Sequence, residues 1–128
     1  MSNGHLAVLG AGPGGYSAAF YAADQGYKVT LVDASDKLGG VCLHRGCIPS
    51  KALLHIAGLM TKVQQAKDWG IDFDNPKIDL RRLNEWKEGV VSKVSDGLAL
   101  LCKQRGITYV TGRGVFLGSN TIKISGGQ

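Results

Sequence analysis

Apolar residues in this chain recur with two different periods, and the switch between them marks the elements. His5–Leu9 (HLAVL) and Lys28–Val32 (KVTLV) are short, mostly apolar runs, the pattern of buried strands. Gly10–Gly15 is a glycine turn, and Tyr16–Gln25 is rich in alanine and predicts a helix stopped by Gly26. Together they form one βαβ unit, parallel and right-handed, whose second strand closes on Asp33. Residues 34–48 are polar and glycine-rich and predict a loop. A helix is expected from Pro49, since proline suits a first helical turn, with Leu53, Ile56, Ala57, Met60 and Val63 at helical spacing.

Residues 68–79 are irregular, broken by Gly70 and Pro76. A longer helix follows, its apolar stripe set by Leu83, Trp86, Val90, Val94, Leu98 and Leu101, with Gly106 as its stop. Thr108–Thr111, Val115–Leu117 and Thr121–Ser125 are β-prone runs that predict an antiparallel meander. The predicted class is α/β: a Rossmann-like βαβ unit with an antiparallel β-meander. Two parallel strands make a small doubly wound sheet and the chain stops within the meander. Residues 1–128 are therefore expected to be the N-terminal part of a larger domain.

Composition narrows the function classes. The chain has 128 residues, 44% hydrophobic and 20% charged, enough for one domain with a real core. Its net charge of +5 is spread along the chain rather than clustered, which argues against nucleic acid as a partner. No apolar run approaches the ~20 residues that span a bilayer, so no membrane partner is expected. The start MSNGHLAVLG enters a strand at once, without a basic segment or a small-residue cleavage site, and predicts a cytoplasmic protein. Three cysteines make a secreted disulfide framework improbable.

Gly10, Gly12 and Gly15 spell G-x-G-x-x-G. The first glycine permits the tight turn, the second lets backbone approach a diphosphate, and the third lets helix and strand pack closely. The diphosphate then meets free N–H groups at the positive end of the helix dipole. The string alone is weak evidence. Its place between an apolar strand and an Ala-rich helix, with Asp33 about 20 residues further on, is what the dinucleotide signature requires. The Asp33 carboxylate can accept from a ribose diol and would repel an added phosphate, which makes NADP the least favoured of FAD, NAD and NADP.

Cys42 and Cys47 are the other candidate chemistry. A zinc site needs four ligands, His44 and His55 are the only nearby candidates beside the two thiols, and no second Cys pair exists, so zinc is a poor reading; two buried free thiols are a second possibility, and a redox pair is the third. Cys47 lies just before the expected helix start. A helix N-terminus lowers a thiol pKa from ~8.5 to about 3.5–7.5. At pH 7 that is the difference between about 3% thiolate and, near a pKa of ~5, about 99%. Cys42, on the loop, is placed to meet an outside disulfide through a mixed disulfide. Lys51 shares a helical face with Cys47. His5, His44 and His55 read as structural or surface residues, and Cys102 as a small apolar packing residue.

These segments resemble the flavin-dependent pyridine nucleotide–disulfide oxidoreductases along nearly the whole chain. GAGPGGYSAAFYAADQG resembles their FAD-binding start, GGVCLHRGCIPSKALLH their redox-active disulfide segment, and TGRGVF a later glycine turn of the same domain. GCIPSK followed by ALLH is most similar to the branch that oxidises the dihydrolipoyl arm of 2-oxoacid dehydrogenase complexes or of the glycine cleavage system. That branch passes electrons through FAD to NAD. The resemblance implies a lipoyl domain or glycine cleavage protein as partner, and a homodimeric parent. Mercuric reductase, another flavin disulfide reductase, or an FAD-binding module without catalysis are the alternatives.

Residue roles follow from the resemblance. Cys47 would be the flavin-facing thiol and Cys42 the thiol that exchanges with substrate. Gly10, Gly12, Pro13, Gly14 and Gly15 would hold the FAD diphosphate, and Asp33 the adenosine ribose, where relatives more often carry Glu. Ala34, Lys37, Gly39, Gly40, Val41 and Cys42 would line the cofactor, Lys51 would sit beside the isoalloxazine, and Gly114 would meet the adenine through its backbone. No metal is implied. His44 and Arg45 stand where many relatives have Asn and a small apolar residue. The family's NAD domain, second FAD segment and dimerisation domain have no counterpart in these residues, so the chain alone is expected to be inactive.

Overall fold

The computed structural model describes residues 3–126. Three parallel strands form its sheet: β1 (His5–Leu9), β2 (Lys28–Asp33) and β3 (Thr108–Thr111), with β2 in the middle. Their register pairs Leu9 with Val32 and Asp33 with Thr111. Helix α1 (Pro13–Asp24) links β1 to β2, and α2 (Gly40–Arg45), α3 (Cys47–Gln65) and α4 (Leu80–Gln104) lie between β2 and β3. A 3₁₀ turn, Ala66–Trp69, follows α3. Strands β4 (Arg113–Gly118) and β5 (Thr121–Ser125) make an antiparallel hairpin.

The expected α/β class with its βαβ start holds, and β1 has the bounds its apolar run predicts but not the burial: it is an edge strand, and four of its five residues are exposed. Four further details differ. Thr108–Thr111 joins the parallel sheet instead of the meander, which leaves a two-stranded hairpin. Helix α1 starts at Pro13, not Tyr16: proline at the first helical position forfeits only an N–H that has no partner there. The segment 34–48 is not all loop, because Gly40–Arg45 is helical and α3 begins at Cys47 rather than Pro49. Pro49 is still within the first turn, where its missing N–H costs nothing.

The fourth difference is the face of α4. Its buried residues are Val91, Ser95 and Cys102, with Leu98 half-buried, while Trp86, Val94 and Leu101 are exposed. The apolar sector is wider than the contact, and one edge of it packs inward. Asp79 caps this helix by accepting from the N–H groups of Arg81 (3.0 Å) and Arg82 (3.1 Å).

The core gathers Ala19 and Ala22 of α1, Val29 and Leu31 of β2, Leu38, Cys102 and Ile107. Val29, Leu31 and Val32 are almost fully buried, each contributing about 1.5–3 kcal/mol. Cys102 packs as expected, and burial raises its thiol pKa. Arg105 fastens the ends of α1 and α4: its guanidinium donates to both carboxylate oxygens of Asp24 (3.0 and 3.3 Å) and lies over the Phe20 ring at 4.9 Å.

Candidate functional site: a glycine turn, a groove and a disulfide

The glycine turn sits where β1 hands over to α1. Gly10 has φ +100°, a left-handed value that favours glycine, and its N–H donates to the Val32 carbonyl at 2.7 Å. A Cβ on Gly15 would collide with the Gly10 carbonyl, so the third glycine of the signature is the one that lets helix and turn touch. Gly12 is the N-cap of α1, and a Cβ there would project into open space. No side chain caps this helix. Pro13 has no N–H, and the first closed bond is Tyr16 N–H to the Gly12 carbonyl at 3.0 Å. The N–H groups of Gly14 and Gly15 thus stand at the N-terminus without an intrahelical partner.

Asp33 ends β2 opposite this turn. Its Oδ2 accepts the N–H of Ala11 at 2.6 Å and its Oδ1 the N–H of Ser35 at 2.8 Å. The carboxylate therefore braces the turn, and each oxygen retains a second lone pair for a further donor. The N–H of Gly112 donates to the Asp33 carbonyl at 2.7 Å, which brings the TGRG turn to the same strand end.

A groove of about 380 Å³ opens between these elements, lined by Gly12, Asp33, Ser35, Lys37, Gly40, Val41, His44 and Arg45. Gly40, with φ +61°, packs its backbone on Gly12: a Cβ would come 2.7 Å from the Gly12 Cα. Lys37 and Arg45 place two cations against one carboxylate, a balance that suits a dianionic diphosphate. Glycine backbone, an uncapped helix end, cations and a strand-end acid together fit a dinucleotide. A larger cavity, about 790 Å³, lies between α4 and residues 36–38 with Cys102 in its lining. It shares Lys37 and His44 with the groove but none of the glycines of the signature.

The groove wall continues into the thiol pair. Cys42 follows Val41 in α2, and Cys47 is the first residue of α3, a helix of 19 residues. The two are joined as a disulfide, with Cα atoms 4.8 Å apart. Gly46 makes the return between the helices: a Cβ there would lie 3.1 Å from the Val41 carbonyl oxygen and 3.3 Å from the Cys42 Cα. Cys42 is half-buried and Cys47 exposed. No side chain caps α3, and its first closed bond runs from Ser50 N–H to the Gly46 carbonyl at 3.1 Å. A thiolate on Cys47 would therefore face an uncompensated positive helix end.

Of the residues singled out from the sequence, Gly12, Asp33, Lys37, Gly40 and Val41 line the groove. Gly10, Gly15 and Gly39 shape the turn behind it, and the Gly39 N–H donates to the Ala11 carbonyl at 2.9 Å. Pro13, Gly14 and Ala34 are exposed beside it. Lys51 is exposed on α3 one turn beyond Cys47 and does not line the groove. Gly114 is not in the lining either, and its missing Cβ makes room for Leu9 and Ile122. Cys42, expected on a loop, is in a helix. Ser35, His44 and Arg45 were not singled out as lining residues. With α2 taken as helix, Gly40, Val41, His44 and Arg45 fall at i, i+1, i+4 and i+5, one face, which is the signal that finds them.

Residues 4–127 match the family described as pyridine nucleotide-disulphide oxidoreductase. The chain is 46% identical over 121 residues to a dihydrolipoyl dehydrogenase of Vibrio cholerae, covering 94% of this chain and 26% of that protein. It is 48% identical over 117 residues to the Haemophilus influenzae protein of that name (91% and 24%). With the one from Halobacterium salinarum it shares 41% over 119 residues (93% and 25%). The chain thus spans about a quarter of the length of these curated relatives. A glycine turn, a groove and a disulfide on adjoining elements, with a family match over nearly every residue, place the chain among the pyridine nucleotide-disulphide oxidoreductases.

Proposed function

We propose that these residues are the N-terminal part of an FAD-binding domain in a protein that oxidises protein-bound dihydrolipoamide, with NAD as the final electron acceptor. The observation that carries this reading is the Cys42–Cys47 disulfide on the helix whose face walls the nucleotide groove. Gly12, Gly14 and Gly15 would hold the FAD diphosphate, Lys37 and Arg45 would offset its charge, and Asp33 would hold the ribose with its spare lone pairs. FAD held by these residues would supply an acceptor for the electron pair of the dithiol, with NAD as the onward acceptor.

The chain's own chemistry is thiol–disulfide exchange. A thiolate of the dihydrolipoyl arm attacks the Cys42 sulfur. The Cys42–Cys47 bond breaks with its electron pair on Cys47, which leaves as a thiolate against the N-terminus of α3. The second substrate sulfur then attacks the mixed disulfide, closes the lipoyl ring and frees Cys42. One substrate proton ends on Cys42 and the other is released.

The surface supports a larger parent. A folded monomer of this mass exposes about 6500 Å², against 9208 Å² for this chain. Leu6 and Leu9 on β1, Leu54 and Leu59 on α3, and Phe116 and Leu117 on β4 are exposed apolar residues. We assign them to contacts with the remainder of a homodimeric parent, and a lipoyl domain as its partner. Among the described residues no helix is long and apolar enough to cross a membrane. A cytoplasmic setting is part of the proposal, since a close Cys pair that opens and closes in exchange with a dithiol suits a reducing compartment.

The test uses the protein that carries this segment. Reduction by dihydrolipoamide should produce a long-wavelength thiolate–flavin absorbance band. The band should vanish in Cys47→Ser and persist in Cys42→Ser, which loses dithiol turnover. A band untouched by Cys47→Ser, or full turnover by Cys42→Ser, contradicts the roles.

A further inference from the structure

We propose that His44 is a positioning residue for the thiol pair: its Nε2–H on the Leu38 carbonyl holds the Cys42 helix in place while the disulfide is open. The proposal deepens the reading above, because it concerns the same disulfide.

Six residues cannot hold α2 together by themselves. The Gly39 N–H on Ala11 fixes its entry and the buried Leu43 its middle. The bond from Cys42 to Cys47 ties it to α3. In its last turn, His44 Nε2 lies 2.8 Å from the Leu38 carbonyl oxygen. A carbonyl only accepts, so Nε2 carries the proton. Leu38 is an immobile anchor: it is 4% exposed, belongs to the core cluster, and its carbonyl also accepts from Ser95 Oγ of α4 at 3.4 Å. The imidazole therefore spans from the thiol helix to the core.

This bond matters most after the S–S bond breaks. The covalent link to α3 is then gone, and the ease with which the disulfide reforms depends on how closely the remaining contacts keep the two sulfurs together, an effective concentration. Without the His44 bond, the dithiol form spreads over more arrangements. The disulfide becomes easier to reduce.

The test equilibrates the 128-residue chain with mixtures of reduced and oxidised dithiothreitol. Dithiothreitol gives two electrons and two protons to the Cys42–Cys47 bond and closes to its own disulfide, so the exchange balances with no other reagent. Alkylation and mass measurement give the fraction reduced. No flavin is present, so a chain that fails to bind FAD, which would sink the functional reading, still gives an interpretable result.

His44→Ala should move the equilibrium about fivefold towards the dithiol, the size of one net hydrogen bond. His44→Gln, whose amide N–H lies where Nε2 does, should return to within about twofold of the parent chain, and Ser95→Ala should stay there too. A His44→Ala equilibrium equal to the parent's, with both redox forms merely less stable, overturns the proposal, and so does a Gln variant that behaves like Ala. Should His44→Ala not fold, long-range ¹H–¹⁵N spectra of the unmodified reduced chain decide. A fixed Nε2–H tautomer supports the bond; an Nδ1–H tautomer or an averaged ring removes it.

Discussion

The Asp33 carboxylate accepts the N–H of Ala11 at 2.6 Å, so the acid at the end of β2 is built into the glycine turn it faces. An aspartate is short enough to fold back on the turn. The same oxygen pair spans from Ala11 to Ser35 and so ties the turn, the strand end and the start of the following segment together. The residue expected to read a ribose is thus also a brace, and substitution should expose both roles.

Asp33→Ala removes both acceptors and should lower the unfolding free energy by about 2 kcal/mol. Asp33→Asn retains one carbonyl oxygen and presents an NH₂ to the other N–H, and should cost about 1 kcal/mol. Urea denaturation of the chain without any ligand measures this. No loss in the Ala variant would mean that the two bonds contribute nothing to the fold.

Gly15 and Gly14 are neighbours in the signature but differ in what surrounds them. A Cβ on Gly15 meets the Gly10 carbonyl, which is backbone and cannot step aside, whereas none of the surrounding atoms would touch a Cβ on Gly14. Gly15→Ala should destabilise by about 2–3 kcal/mol, in the range of an overpacked core. Gly14→Ala should be neutral or stabilising by up to about 1 kcal/mol, since alanine is the better helix former. The pair separates glycine for packing from glycine for ligand access: Gly14→Ala should weaken dinucleotide binding without weakening the fold.

How much of this was legible varied with element length and with the reach of the contacts that define it. Strands β1 and β2 are apolar runs bounded by glycine and by Asp33, and local sequence decides them. Helix α2 was hidden, because six residues opened by Gly39-Gly40 look like a loop and are helical through Leu43 burial, the His44–Leu38 bond and the disulfide. Strand β3 has four residues, and whether it pairs parallel to a strand 78 residues earlier or with its neighbours is a tertiary matter. On α4, Ser95 and Cys102 share the inward face with Val91, and a polar Ser95 on that face hides it from a periodicity reading. The site was legible where motif spacing fixes it, at Gly12, Asp33, Cys42 and Cys47. It was not legible where a helix face brings residues together, at His44 and Arg45.

The disulfide closes a very short loop, from Cys42 to Cys47. Chain-entropy reasoning gives such a loop a contribution of about 2 kcal/mol. Reduction should lower the unfolding free energy by about that amount, read as a shift of the urea midpoint with and without dithiothreitol. The loss should be smaller in His44→Ala than in the parent chain, since a fold that holds the two sulfurs together less closely gains less from the bond between them. Equal stability of both redox forms in the parent chain would show that native contacts around α2 already do what the bond does.

Tyr109 and Cys102 should give the fold an alkaline limit. The Tyr109 hydroxyl donates to the Ser35 carbonyl at 2.7 Å and so clamps the segment that walls the groove. Desolvation, with the negative charges of Asp33 and Asp36 nearby, pushes its pKa up to about 12 from 10.0, and burial raises Cys102 above 9.0. Both groups hold their protons more tightly folded than unfolded, so the unfolded chain deprotonates first. Below pH 9 their contribution is fully present. It declines from there as the unfolded thiol and then the unfolded phenol ionise, and the share of Tyr109 is gone once pH passes about 12. Tyr109→Phe should cost about 1 kcal/mol at neutral pH, the net value of one hydrogen bond. It should also flatten the upper part of the alkaline decline. Urea midpoints measured between pH 8 and pH 11 on both chains test this, and parallel curves would remove Tyr109 from the alkaline dependence.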